Sequence, residues 1–184
     1  MAYASRTGFT TGIAGFVGER LKERGYQADV LEVESVGDVA VYEAFVVGSA
    51  LYMFHWIKEA KDFVKKNREV LSKHPVWLFS SGPVGTSRTD AKGRDLLEVS
   101  GPKEIDELTK AVNARGHKVF FGGLDPSKLT GANAFWYKMA TKSQAARMAM
   151  PEGDFRDWKE IGTWAEEVAD ALEMKGPPPS SVSS

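Results

Sequence analysis

The chain has 184 residues, of which 42% are hydrophobic and 27% are charged, so it has the size and balance of one globular domain with a hydrophobic core. Its net charge of -1 argues against a nucleic-acid binder that relies on broad phosphate neutralisation. It contains no cysteine, which excludes disulfides, thiolate metal sites and cysteine nucleophiles.

A short extended stretch opens the chain at residues 1–4 and runs into a helical pattern. Apolar side chains recur at helical spacing over residues 10–24, at Ile13, Phe16, Val17 and Leu21. The charged end of this pattern is followed by Gly25, a residue typical of helix stops. The sequence therefore predicts a helix over residues 10–24.

Four further apolar runs end in small residues, as buried parallel strands do. They cover residues 28–33, 44–51, 76–82 and 117–123. Helical patterns lie between them over residues 56–66, 67–72 and 102–116, with Gly116 suited to a C-cap. Strict alternation of strands and helices predicts an α/β fold in three layers, with a doubly wound parallel five-stranded sheet.

We expect residues 1–174 to form a single domain. Residues 175–184, with the sequence KGPPPSSVSS, cannot bury apolar surface and are expected to be a disordered tail. The three histidines, His55, His74 and His117, are too scattered to indicate a metal site. The absence of a charged-then-apolar leader and of an apolar run of about 18 residues predicts a cytoplasmic protein.

Small residues follow the predicted strands at the carboxyl edge of the sheet, where ligands bind in doubly wound folds. Four loops are therefore expected to converge on one crevice. The candidate binding residues in these loops are Ser5, Arg6, Thr7, Gly8, Phe9, Thr10, Ser49, Ala50, Leu51, Tyr52, Ser81, Gly82, Pro83, Gly85 and Gly123.

The first loop concentrates hydroxyl groups at the start of a helix. The amide donors and partial positive charge of a helix N-terminus favour an anion, and Ser5, Thr7 and Thr10 add donors around Gly8. This pattern indicates a site for a phosphate monoester. The alternative is that Thr10 only caps the helix, although four hydroxyls, with Thr11, exceed what a cap requires.

The segment YASRTGFTTGIAGFV resembles the phosphate loop of flavodoxins, in which hydroxyl residues hold the phosphate of FMN. The matching residues are Tyr3, Ser5, Gly8, Thr10, Ala14 and Val17. The loop lacks both the nucleoside triphosphatase pattern and the Gly-x-Gly-x-x-Gly of dinucleotide sites. One departure is that only Met1 and Ala2 precede Tyr3, so either the first strand is unusually short or the sequence begins inside it.

Later segments resemble the flavodoxin-type menaquinone-dependent protoporphyrinogen IX dehydrogenases. The resemblance covers residues 46–82 and 151–172. It implies an aromatic-bearing loop beside the flavin ring at Ser49 to Tyr52 and a long insertion after the last strand at Pro126 to Met150. It also implies FMN as the cofactor and a quinone or a porphyrinogen-like small molecule as the partner.

We expect either Tyr52 or Trp56 to lie against the flavin, the alternative being that Phe54 and Trp56 start a buried helix face. Backbone amides around Ser81, Gly82 and Gly85 are expected to bond the flavin ring, unless they form an ordinary strand-to-loop turn. His55 is expected at the surface or behind the site. No residue is assigned as a catalytic acid or base.

Three classes of function fit these features. The first is an FMN-dependent oxidoreductase that passes electrons between a hydrophobic, protoporphyrinogen-like substrate and a quinone. The second is a flavodoxin-type electron shuttle, which a nearly neutral chain with a pI near 6.3 favours less, because shuttles dock through a strongly acidic face. The third is a binding module without flavin, against which the intact hydroxyl loop argues.

Residues 126–150 contain Lys128, Lys138, Lys142 and Arg147 and no acidic residue. On a helix, Phe135, Met139, Ala146 and Met150 would share one face. A basic amphipathic helix of this kind can contact an anionic membrane weakly, from the inner face of the membrane. The alternatives are a wall of the substrate pocket or a helix packed on the sheet or in a dimer contact.

Overall fold

The computed structural model describes residues 1–144 and 150–173, without the side chains of Ala132, Asn133 and Trp136. The predicted tail at 175–184 lies outside these residues. The strands are β1 (Ala2–Ala4), β2 (Leu31–Glu32), β3 (Phe45–Tyr52), β4 (His55–Trp56), β5 (Val76–Ser81), β6 (Gly116–Phe120), β7 (Gly123–Leu124) and β8 (Gly153–Asp154). The α-helices are α1 (Phe9–Glu23), α2 (Lys58–Lys66), α3 (Arg68–Leu71), α4 (Leu96–Val99), α5 (Ile105–Val112), α6 (Gly131–Ala140) and α7 (Trp158–Glu173).

The main sheet has the strand order β2-β1-β3-β5-β6, and all neighbouring pairs on this path are parallel. This confirms the predicted five-stranded parallel sheet, whose order reverses between β1 and β3. β4 pairs antiparallel with the end of β3, and β7 and β8 form a separate antiparallel ribbon. The two additions lie beyond the carboxyl ends of β3 and β6.

Helices cover both faces of the sheet, as the prediction of three layers requires. On one face α1 and α7 pack together, and Ile13, Phe79 and Trp164 are buried in one cluster. On the other face α2 and α5 bury Phe63 and Leu108 against the sheet. Because both faces are covered, the central strands are apolar on both sides.

The predicted first helix is confirmed to within one residue at each end. Gly25 has φ of 88°, and its N–H donates to the carbonyl of Lys22 at 2.9 Å. Tyr26 N–H donates to the carbonyl of Leu21 at 3.1 Å. These two bonds form the glycine-dependent C-terminal cap that the sequence indicated.

Several predicted boundaries were wrong. The helix expected at 56–66 begins at Lys58, because Trp56 belongs to β4. The helix expected at 102–116 covers only Ile105–Val112. Asn113, with φ of 51°, takes the left-handed position at its end, and Gly116, the predicted C-cap, is instead the first residue of β6. β6 ends at Phe120, and Gly123 starts the ribbon of β7 and β8.

The predicted strand at 28–33 is reduced to two paired residues. Only Leu31 and Glu32 pair with β1, since β1 itself is three residues long. The chain then forms 3₁₀ turns at Val33–Ser35 and Val39–Val41. A further 3₁₀ turn lies at Pro126–Lys128.

Candidate functional site

Residues 5–8 join β1 to α1, and together with the first turn of α1 they have the geometry of an anion site. Gly8 occupies the N-cap position with φ of 87°, a left-handed conformation that is costly for residues with a side chain. The Ser5 hydroxyl accepts the N–H of Gly8 at 3.1 Å. This bond closes the loop into a tight turn over the first turn of α1.

The first turn of α1 keeps its donors free. No side chain caps this helix, and its first turn holds no acidic residue. Within the described part of the chain, the hydroxyls of Thr7 and Thr10 make no hydrogen bond, and no polar side-chain atom is both buried and unpaired, so the Thr10 hydroxyl is accessible although the residue as a whole is 1% exposed. Free amides, free hydroxyls and the positive end of the helix dipole form a donor set that fits a phosphate dianion. The residues present therefore fit the phosphate of FMN.

Two long side chains of the loop contact neighbouring elements. The Arg6 guanidinium donates to both carboxylate oxygens of Glu59 on α2, at 2.8 and 3.0 Å. The Phe9 ring packs against Gly123, where an added Cβ would lie 2.2 Å from the ring. The loop is thereby fixed to α2 on one side and to the start of β7 on the other.

The ends of β3, β5 and β6 are joined by close backbone contacts. Gly82 N–H donates to the carbonyl of Phe120 at 3.0 Å, and Gly122 N–H donates to the carbonyl of Pro83 at 3.0 Å. Leu51 packs so closely on Gly82 that an added Cβ would lie 2.4 Å from the leucine side chain. Together with the contact of Phe9 with Gly123, these contacts bring the four predicted loops to one edge of the sheet.

Two of the predicted site residues, Ser49 and Ser81, are buried serines. Ser49 is fully buried, and its hydroxyl accepts the N–H of Ile57 at 3.1 Å and donates to the carbonyl of Ala50 at 2.9 Å. This leaves only its backbone for a cofactor contact. Ser81 is also buried, beside Gly122. Gly85, in the same loop, has φ of 121°, and the roles of these residues towards FMN stay predictions.

A tight hairpin follows β3 and was not predicted. Tyr52 pairs with His55, so Met53 and Phe54 form a two-residue turn with φ of 49° and 64°. Two positive values in succession belong to the type I′ hairpin, which normally needs glycine or asparagine. Met53 is 88% exposed and Phe54 is 54% exposed. Because the turn lacks the usual residues, the sequence carried no local signal for it.

The hairpin separates the two aromatic candidates for the flavin. Trp56 is 1% exposed and lies in the core on the α2 side of the sheet, so it is excluded as the ring that covers a flavin. The burial of Trp56 agrees with the alternative that it belongs to a buried face, although Trp56 lies on β4 and not on a helix. Tyr52 is half-buried, and burial raises the pKa of its phenol, while the nearby Arg6 charge opposes this. Tyr52 therefore remains as the aromatic candidate.

Arg156 is a residue at the site that sequence reasoning missed. Its guanidinium donates to the carbonyl of Phe9 at 3.1 Å and pairs with Asp154. It also lies over the Trp158 ring, at 4.4 Å from the centroid. Gly12 makes room for it, since an added Cβ there would lie 2.2 Å from the guanidinium. The segment that follows the insertion is thus fixed at Arg156 to the first turn of α1.

Comparison with known proteins shows where this architecture belongs. The model of the flavodoxin domain family matches residues 1–148. Protoporphyrinogen IX dehydrogenase [quinone] of Escherichia coli K12 is 24% identical over 176 residues, covering 91% of this chain and 92% of that protein.

Two solved structures show the same fold. The flavodoxin of Streptococcus pneumonia TIGR4 has a TM-score of 0.56 at 18% identity, covering 92% of this chain and 96% of that chain. A flavodoxin from the domain Archaea has a TM-score of 0.55 at 13% identity, covering 94% and 96%. The chain therefore belongs to the flavodoxin domain family, and its cofactor is FMN.

Proposed function

We propose that the protein is an FMN-dependent oxidoreductase that passes electrons between a hydrophobic, protoporphyrinogen-like substrate and a quinone acceptor. Family membership supports a flavoprotein that transfers electrons. Similarity over 91% of the chain to a quinone-linked protoporphyrinogen IX dehydrogenase supports the choice of substrate and acceptor. The observation that carries the proposal is the set of free donors at the first turn of α1, in a loop whose Arg6 lies near the half-buried Tyr52.

FMN, when bound, supplies the redox chemistry. The polypeptide would hold FMN in position and shield it from water. The hydroxyl loop at Ser5 to Thr10 would hold the phosphate, and backbone amides of the loop at Ser81 to Gly85 would bond the flavin ring. Tyr52 would cover one side of the ring and exclude water from it. A phosphate bound at the N-terminus of α1 would leave the loops that follow β3 and β5, at the same edge of the sheet, to contact the rest of the cofactor.

An electron shuttle without its own substrate is the competing function. Purified protein loaded with FMN should oxidise protoporphyrinogen under anaerobic conditions only when a quinone such as menadione is supplied. Turnover of porphyrinogen with quinone supports the enzyme. Rapid one-electron exchange with redox proteins in the absence of any porphyrinogen turnover would favour the shuttle.

Tyr52→Ala should relieve the quenching of FMN fluorescence and shift the flavin absorption bands, because a stacked ring is lost. Affinity for FMN should fall by about threefold to tenfold, since an aromatic pair contributes about 0.5 to 1.5 kcal/mol beyond burial. Fluorescence titration of the folded variant checks both effects. Tyr42→Phe serves as the control, as Tyr42 bonds Asp29 and packs on Phe45 on another side of the molecule. Unchanged spectra in Tyr52→Ala would remove Tyr52 from the flavin site.

We also propose that α6 gives the enzyme a weak contact with anionic membranes. Phe135 is 60% exposed and Met139, one turn later, is 43% exposed. Lys138 and Lys142 are exposed beside them. Ala146 and Arg147, which the sequence placed on the same helix, lie outside the described residues. Apolar side chains flanked by lysines are the pattern of helices that lie in the headgroup region.

The contact would be peripheral. Among residues 1–144 and 150–173, no helix combines the length and the apolar character that crossing a bilayer requires. A quinone dissolved in the membrane could then reach the crevice without the enzyme leaving the aqueous phase. This arrangement would give a role to the exposed apolar side chains of α6, which lie within the insertion.

Replacing Lys138 and Lys142 with glutamine should weaken binding to vesicles that contain phosphatidylglycerol by about thirtyfold. Each lysine near an anionic surface contributes about 1 kcal/mol, and about 1.4 kcal/mol corresponds to a factor of ten. Co-sedimentation at low salt measures the effect, with neutral phosphatidylcholine vesicles for comparison. Lys73→Gln together with Lys110→Gln is a control that removes the same charge elsewhere. Failure of the wild type to bind anionic vesicles at low salt would contradict the contact.

A further inference from the structure

The hairpin that presents Tyr52 is strained. Met53 and Phe54 both have left-handed backbone conformations, which residues other than glycine and asparagine rarely adopt. Such conformations persist only where the surrounding structure holds them, and they concentrate at binding sites. The neighbours of the hairpin should therefore contain the contacts that hold it.

Three contacts fix the backbone of the hairpin. The carbonyl of Phe54 accepts the N–H of Lys103 at 3.0 Å. Trp56 N–H donates to Glu104 at 2.9 Å, and Ile57 N–H donates to the Ser49 hydroxyl at 3.1 Å. The tip is thus bonded to the segment before α5, and the base is bonded to β3.

A fourth contact runs through the core across three strands. The Trp56 indole N–H donates to the Ser80 hydroxyl at 2.8 Å, and the same hydroxyl lies 2.7 Å from Nε2 of His117. The indole can only donate, so Ser80 accepts from it and is free to donate to His117. Ser80 is 0% exposed and Trp56 is 1% exposed. This chain of hydrogen bonds links β4 to β5 and β6, with Ser80 one residue before the carboxyl end of β5 and His117 one residue after the start of β6.

A polar chain in this position needs an explanation. Buried polar groups are costly unless each is satisfied, and apolar residues could have filled the same space. Satisfied networks of this kind hold one arrangement of side chains in place. Here the donor at one end belongs to the hairpin and the acceptor at the other end belongs to the rigid sheet.

We propose that His117 and Ser80 are positioning residues, which hold the hairpin through the Trp56 indole and thereby keep Tyr52 against the flavin. This inference rests on the proposed FMN function. It gives the buried Ser80 and the partly buried His117 a role in the environment of the cofactor. The role is distinct from general stability, because it acts through one strained turn.

The test uses the full chain loaded with FMN and reads bound-flavin fluorescence and absorption. His117→Leu removes the acceptor and should cause a loss of quenching, as Tyr52→Ala does. His117→Gln keeps an acceptor and should restore most of the quenching. Trp56→Phe keeps an aromatic ring in the core and removes the indole donor, so it should also cause a loss of quenching. It provides the test if His117→Leu folds poorly. Affinity for FMN should fall by no more than about tenfold in each, the scale of one lost aromatic contact.

Tyr26→Phe is the matched control, because it deletes a tertiary hydrogen bond to the carbonyl of Ala169 at 3.1 Å on the opposite face. It should lower stability and leave the flavin signal unchanged. If His117→Leu and Trp56→Phe lower stability but keep wild-type flavin fluorescence and absorption, the positioning role is overturned. The hydrogen bonds from Trp56 through Ser80 to His117 would then contribute only to stability. A wild type that binds no FMN would instead refute the proposed function itself.

Discussion

Replacing Thr10 with alanine should raise the dissociation constant for FMN about tenfold to hundredfold. Thr10 lies in the first turn of α1, is 1% exposed and has a hydroxyl without a hydrogen-bond partner among the described residues. A hydrogen bond to a charged group is worth about 1.5 to 3 kcal/mol, and a bond to the phosphate dianion falls in this class. Isothermal titration of the apoprotein with FMN measures the change.

The same titration with riboflavin provides the internal check. Thr10→Ala should leave riboflavin binding unchanged, because riboflavin has no phosphate. Thr163→Ala is the control variant, since Thr163 bonds the carbonyl of Lys159 on α7 and lies away from the loop. An equal loss of affinity for FMN and riboflavin in Thr10→Ala would indicate a damaged fold and not a lost phosphate contact.

The protein should lose up to about 3 kcal/mol of stability through His117 alone as the pH falls from about 6.5 to about 4. Burial lowers the pKa of His117 from 6.5 to about 4 in the folded state. The unfolded chain therefore binds more protons than the folded chain between these values, so stability is fully present above about 6.5 and falls as the pH decreases through the window. Each pKa unit corresponds to about 1.4 kcal/mol.

Urea unfolding at pH 7 and at pH 4.5 measures this loss in the wild type and in His117→Gln. Carboxylates also titrate in this range, but they are common to both proteins, so the difference between the two pH dependences reports His117. The variant should show the smaller loss of stability on acidification. Identical pH dependence in the two proteins would mean that His117 has an ordinary pKa in the folded state.

Patterns repeated over many residues made the fold predictable. The parallel sheet and the helix α1 follow from apolar runs and helical spacing, and Gly25 marked the helix end correctly. The phosphate loop was predictable for a related reason, because its hydroxyls, its glycine and its helix are adjacent in sequence. Signals of this kind are local in sequence, so they can be recognised without knowledge of the tertiary structure.

Features that depend on distant contacts were missed. The hairpin at Met53 and Phe54 has no glycine or asparagine, and it is held by Glu104, about fifty residues away in sequence. Arg156 reaches the first turn of α1 from the far side of the insertion. The role of His117 has no local signal either, since its bond to Ser80 arises only when β5 and β6 pair. Tertiary contacts override the local turn propensity at the hairpin, and at Arg156 and His117 they join residues that are distant in sequence.

The central claim is that the loop between β1 and α1 binds the phosphate of FMN. The most direct test compares the affinities of the wild-type apoprotein for FMN and for riboflavin by titration calorimetry at one pH and ionic strength. FMN should bind at least about a hundredfold more tightly, because the hydroxyls and amides of the loop together contribute more than one charged hydrogen bond of about 1.5 to 3 kcal/mol. Equal affinity for the two flavins would contradict the assignment of the loop.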